Sequence, residues 1–129
     1  MKYRTGRLCR IRMELVAQIG HPRGERATGY ELQVPLNPDG HIDATSWLDE
    51  PGACHVRCFR RGSVDKNGIL ARTPRGRWYF DYGSSRDVEH DQRLNEDRFI
   101  PGQFIPVYEE DGKLRTYRVT SVEAVAVPS

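Results

Sequence analysis

Apolar and polar side chains alternate singly along most of this chain. From Arg7 onward, Ile11, Met13, Leu15, Ala17 and Ile19 share one parity, while Arg10, Arg12, Glu14 and Gln18 share the other. Successive side chains of an extended strand face opposite ways, so residues 7–19 are predicted to form one long, half-buried strand. Gly20-His21-Pro22-Arg23-Gly24 interrupts it. Tyr30, Leu32 and Val34 then alternate with Glu31 and Gln33, predicting a second strand that stops at Pro35, ahead of the turn residues Asn37-Pro38-Asp39-Gly40. The connection over 20–28 is long for a hairpin and reads as a mobile flap.

Asp43 to Glu50 is the first helical candidate. Asp43 can cap it, Trp47 and Leu48 can pack inward, and Pro51-Gly52 ends it. A short strand is expected from Cys54 to Arg60, with Val56 and Cys58 on one side and Phe59 on the other. Asp65-Lys66-Asn67-Gly68 reads as a turn. Ile69 to Arg72 and Trp78 to Tyr82 read as a hairpin across Pro74-Arg75-Gly76, with Trp78 and Phe80 on one face and Tyr79 on the other. Residues 83–98 are sparse in apolar groups and read as a loop with at most a helical turn.

The strongest hairpin signal is the last. Phe104-Ile105-Pro106-Val107-Tyr108 and Leu114 to Val125 flank Asp111-Gly112, a pair suited to a turn that needs positive φ. A loop centred on that pair opposes Tyr108 to Arg115, Pro106 to Tyr117 and Phe104 to Val119. One face then carries Phe104, Tyr108, Tyr117 and Val119, and the other Ile105, Val107, Leu114 and Val122. Pro106 has no N–H to give a ladder, so it belongs at an edge or at an unpaired position.

Six to eight short strands, turns about every ten residues and one short helix define an all-β protein, a small antiparallel barrel or a two-sheet sandwich. At 129 residues the chain is expected to form a single domain, 1–129, with one core.

Composition narrows the setting. Three cysteines, an odd number, and no apolar leader at the N-terminus point to reduced thiols and a cytoplasmic location. No stretch approaches the ~20 apolar residues of a membrane-spanning helix. Net charge is +2, and Arg outnumbers Lys seventeen to three. The first 29 residues hold seven bases against two acids. Guanidinium groups suit phosphate and carboxylate partners, although a base-composition bias in the gene gives the same excess.

Several clusters carry possible chemistry. Arg72, Arg75 and Arg77 stand beside Trp78, Tyr79 and Phe80 at a hairpin tip, the mixture that holds single-stranded nucleic acid through phosphates and stacked bases. Arg10 and Arg12, with Arg4 and Arg7, could extend that surface. The competing reading is a solvated turn, a core strand and charges offset by acids on neighbouring strands. Cys54, His55 and Cys58 invite a metal. On a strand, however, the two thiols lie about 13 Å apart at ~3.3 Å per residue and His55 faces the other way. Only a loop over 52–58, with Cys9 or His41 completing the shell, would rescue such a site. Asp87, Glu89, His90 and Asp91 have no fixed ligand spacing. Ser84-Ser85 lacks a nucleophile elbow, and no phosphate-binding glycine motif is present.

The leading expectation is therefore a non-catalytic binding module without cofactor or metal, whose most specific partner is an anion such as single-stranded nucleic acid. Two alternatives stand beside it. One is a small-molecule or enzymatic barrel with a site near His55, His90 and Asp91. The other is a subunit that associates with copies of itself through an edge strand at 7–19 or 104–125.

Overall fold

The alternating segments become Arg7–Leu15 (β1), Glu25–Leu36 (β2), His55–Phe59 (β3), Lys66–Arg72 (β4), Trp78–Asp81 (β5), Arg93–Leu94 (β6), Phe104–Tyr108 (β7) and Leu114–Ala124 (β8). The computed structural model describes residues 6–16, 25–83, 93–94, 98–109 and 112–125. Each strand runs antiparallel to the next. β8 returns to pair with β1, from Cys9 opposite Ala124 to Leu15 opposite Tyr117, so the sheet closes into a barrel. Closure of this kind leaves neither β1 nor β8 as an edge. β1 and β8 spend their outer hydrogen bonds on each other, so of the strands expected to self-pair only β7 keeps a partly open side, meeting β6 at Val107 and Tyr108 among the described residues.

The barrel wall is uneven. β6 contributes two residues, bonded to Trp78 and Tyr79 on one side and to Val107 and Tyr108 on the other. Inward positions fill the interior. Ile11, Met13, Tyr30, Leu32, Val34, Val56, Leu70, Phe80, Ile105, Val107, Tyr117 and Val119 are fully buried. Among the described residues, no helix is long and apolar enough to cross a membrane.

Ala44–Asp49 (α1) and a 3-10 turn at Pro51–Ala53 lie over one end of the barrel. Asp43 caps α1 by accepting from the Thr45 N–H at 3.3 Å and from the Ser46 hydroxyl at 2.8 Å. Trp47 packs inward, donates Nε1–H to the Leu70 carbonyl at 3.0 Å and meets Trp78 edge-on at 5.3 Å. Leu48 points to solvent instead of inward.

Three other expectations change. The final hairpin pairs Tyr108 with Leu114, Pro106 with Thr116 and Phe104 with Arg118, one residue away from the expected register. With a side-chain period of two, that slip exchanges partners between faces. Ile105 and Val107 share the interior with Tyr117 and Val119, and Phe104, Tyr108 and Leu114 turn outward. Bonds from the Val119 N–H to the Gln103 carbonyl and from the Glu109 N–H to the Lys113 carbonyl bracket the ladder. They put Pro106 at a position that asks no N–H of it. Next, the turn after β3 falls at Arg61-Gly62-Ser63, and Lys66, Asn67 and Gly68 belong to β4. Gly68 is needed for close approach: a Cβ there would sit 2.3 Å from the Asp81 carbonyl oxygen. Finally, Arg93–Leu94 is strand within the stretch expected to be loop, and residues 25–28 of the expected flap belong to β2. Residues 17–24 lie outside the described residues, as do Ser84, Ser85, Asp87, Glu89, His90 and Asp91.

Candidate functional site

The barrel has two surfaces with chemistry on them, the outer wall and the mouth at the end opposite α1. On the outer wall of β1, Arg12 is committed. Its Nε donates to Glu14 at 2.9 Å, one Nη to Glu31 at 2.8 Å and the other to the Arg26 carbonyl at 3.2 Å. Its guanidinium also lies 4.3 Å from the centre of the Phe59 ring. Arg57 stacks on the same ring at 5.3 Å and pairs with Glu31 and Asp65. Arg10 stays exposed, with Gln33 and Glu123 as its cross-strand neighbours. It borders an outer groove of about 560 Å³ that runs past Gln33, His55 and Arg57 to Ile69.

The β4–β5 hairpin keeps Arg72, Arg75, Arg77 and Trp78 together but withdraws the ring. Trp78 is only 3 % exposed, pointing into the barrel against Trp47. The Arg72 guanidinium lies 4.9 Å from the centre of the Trp78 ring and donates Nε–H to the Gly76 carbonyl at 3.2 Å. Arg75 and Arg77 remain at the tip as exposed cations. β2 and β3 separate this tip from Arg10 and Arg12 along the sheet.

The exposed rings are elsewhere. Phe104 and Tyr108 stand on the outer face of β7, 57 % and 41 % exposed. Arg118 of β8 is the cross-strand partner of Phe104, and Leu114, 52 % exposed, is that of Tyr108. Alternation had already grouped Phe104 with Tyr108. What it misplaced was the strand opposite, and with it the exposure of both rings.

At the mouth a carboxylate is drawn inside. Glu109 follows Ile105 and Val107 at the same inward parity, and its side chain is 2 % exposed. Oε1 accepts from the Tyr117 hydroxyl at 2.7 Å and from Arg115 Nη1 at 3.4 Å. Oε2 accepts from the Tyr30 hydroxyl at 2.9 Å and from Arg60 Nη2. Burial pushes both tyrosine hydroxyls far above their usual range, and the Glu109 charge adds to this. Arg60 is partly buried, which opposes its charge, yet the facing Glu109 holds it protonated beyond the ordinary guanidinium value. A carboxylate offers about four acceptor positions, and four donors fill them here. The cluster acts as a clamp that ties the middle of β2 to the end of β3, the residue after β7 and the start of β8. The acid could have been found in the sequence by extending the parity of Ile105 and Val107 across the start of the turn.

The thiols are interior. Cys9, Cys54 and Cys58 are free and buried. Burial, with Glu50 adding its charge, pushes Cys54 up to about 11. His55 faces the outside, its Nε2 lying 2.7 Å from the Gly52 carbonyl oxygen. Among the described residues no three His, Cys, Asp or Glu side chains are grouped to hold a metal ion. The expected grouping of His55 with His90 and Asp91 reaches outside the described residues.

Comparison with protein-family models, with curated proteins and with solved structures finds no match for the chain.

Proposed function

We propose that this barrel is a non-catalytic binding module for single-stranded nucleic acid, and that the outer face of β7 and β8 is the contact surface. The observation that carries this reading is the exposure of Phe104 and Tyr108 on one face of one strand, with Arg118 opposite Phe104. Exposed rings on a sheet offer stacking platforms to unpaired bases, and guanidiniums beside them meet the phosphates. Across the β8–β1 seam the neighbour of Arg118 is Glu14 and that of Arg10 is Glu123, so the cationic contact rests on Arg118. The saturated Glu109 clamp supports binding over catalysis. Three free thiols fit a cytoplasmic setting.

The test is anisotropy of a labelled single strand of about ten nucleotides at two salt concentrations. Affinity should fall as salt rises. Phe104→Ala and Tyr108→Ala should each cost about 1–3 kcal/mol of binding, the range for a base stacked on an aromatic ring. Arg118→Ala should flatten the salt dependence by about one phosphate contact. Absence of binding at low salt, or affinity indifferent to salt and to both rings, overturns the reading.

A further inference from the structure

The end of the barrel opposite Glu109 carries a cleft that the β7–β8 face does not share. Its volume is about 510 Å³, and it lies between the start of β1, the Asn37–Gly40 turn, the Arg98–Pro101 segment and Val122 of β8. The floor is apolar: Leu36 and Phe99 belong to the core, and Val122 packs against it. Ile100 forms part of the rim and is exposed. Gly40 has φ +93°, and a Cβ there would come within 3.2 Å of Ile100 Cγ1, so glycine keeps this side of the cleft open.

Two guanidiniums belong to the lining. The Arg98 Nε–H donates to the Asp39 carbonyl at 2.8 Å, and the Phe99 N–H donates to the Gly40 carbonyl at 2.8 Å. Those two bonds fix the segment that forms one wall. Arg7 is exposed at the start of β1, and its guanidinium makes no hydrogen bond or ion pair among the described residues. Asp39 is the acid of the lining, and its carboxylate is turned to His41, Oδ1 to Nδ1 at 2.9 Å. The His41 hydrogen bond holds Asp39 below the usual carboxylate range. Among the described residues, two cations therefore face the cleft against one acid that already has a partner.

From this arrangement we infer a second site: the cleft binds a small apolar molecule carrying one carboxylate or sulfonate. The body rests on Leu36, Phe99, Ile100 and Val122, and the head is held between Arg7 and Arg98. The volume falls within the ~300–1,000 Å³ typical of small-molecule sites, which are mostly apolar with a few polar groups that fix orientation. The guanidinium fork matches a carboxylate or sulfonate edge. The site stands independently of the nucleic-acid reading, since none of its residues belongs to the exposed face of β7.

The experiment is a titration of the full chain with 8-anilinonaphthalene-1-sulfonate, followed by fluorescence and by amide NMR shifts. Saturable binding is expected, with shifts concentrated at Gly40, Ile100 and Val122. Ile100→Trp, which fills the cleft, should abolish it. Arg7→Ala removes no bond among the described residues, so it should leave the fold intact. It should weaken the sulfonate about tenfold while leaving the uncharged N-phenyl-1-naphthylamine unchanged. Phe104→Ala should alter neither probe, which separates this site from the outer face. Overturning results are binding that does not saturate, shifts clustered at Phe104, Tyr108 and Leu114, full affinity in Ile100→Trp, or equal loss of both probes in Arg7→Ala.

Discussion

Gly29 and Phe59 are cross-strand partners, and the Phe59 ring lies over the bare Cα of Gly29. A Cβ on Gly29 would come 2.0 Å from the Met13 carbonyl oxygen and 3.0 Å from Phe59 Cζ. The obstacle at 2.0 Å is backbone, so a strand of the barrel would have to move. Gly29→Ala should lower stability by about 3 kcal/mol, the upper range for overpacking, as read from urea denaturation. Gly52→Ala is the control. Nothing lies within 4 Å of its added Cβ, and its midpoint should barely change.

The clamp around Glu109 predicts a graded series. Glu109→Ala leaves two tyrosine hydroxyls and two guanidiniums without their acceptor and should cost about 3–5 kcal/mol. Glu109→Gln keeps acceptor capacity on one oxygen and should cost less. Tyr117→Phe removes one donor and should cost about 1 kcal/mol. Equal midpoints for Glu109→Ala and the native chain would show that the carboxylate does not tie these strands together.

The raised thiol and hydroxyl groups set the pH dependence. Cys54 moves from 9.0 to about 11 on folding, mainly through burial. Tyr30 and Tyr117 move upward from 10.0 for the same reason. An acid whose proton is held more tightly in the folded state contributes stability that is complete below its unfolded value and is lost above it. The urea midpoint should therefore be level from about pH 7 to 8 and should fall from about pH 9 upward, where unfolded thiols ionise first. Burial raises Cys9 and Cys58 as well, so Cys54→Ala should make that fall shallower without moving its onset. A midpoint that rises between pH 8 and 10 contradicts this assignment.

Arg12 is held by two carboxylates and by the Phe59 ring. The ion pairs are screened by salt, and the stacking is not. Arg12→Ala should cost about 1–2 kcal/mol, and most of the loss should persist in about 1 M sodium chloride because the stem and guanidinium plane cover the ring. A loss that vanishes at high salt would assign the whole effect to charge.

Alternation in the sequence revealed the strands because each wall residue of a closed barrel has one dry and one wet side. It placed Trp78 and Phe80 on one face and Tyr79 on the other, as found. Register was less legible. Counting residues around Asp111-Gly112 does not say how far the ladder reaches into the loop, and the Glu109–Lys113 bond shifts it by one. Gly68 looked like punctuation, yet its role is to admit the Asp81 carbonyl. The mouth cluster gathers residues up to 87 positions apart, from Tyr30 to Tyr117, and no local spacing encodes such a meeting. Trp78 has basic neighbours in sequence, but its inward parity and the Trp47 ring brought by α1 bury it.

Pairing of β8 with β1 has a consequence for synthesis. Every other neighbour in the meander is a near neighbour along the chain, so seven strands can zip together as they emerge from the ribosome. They would form a curled sheet with two open sides and Glu109 lacking its Tyr117 donor. Only when Leu114–Ala124 arrives do both sides and the carboxylate find their partners at once. Nascent chains stalled short of residue 114 should need a chaperone to stay dispersed, and release should bring a late, cooperative gain in protease resistance.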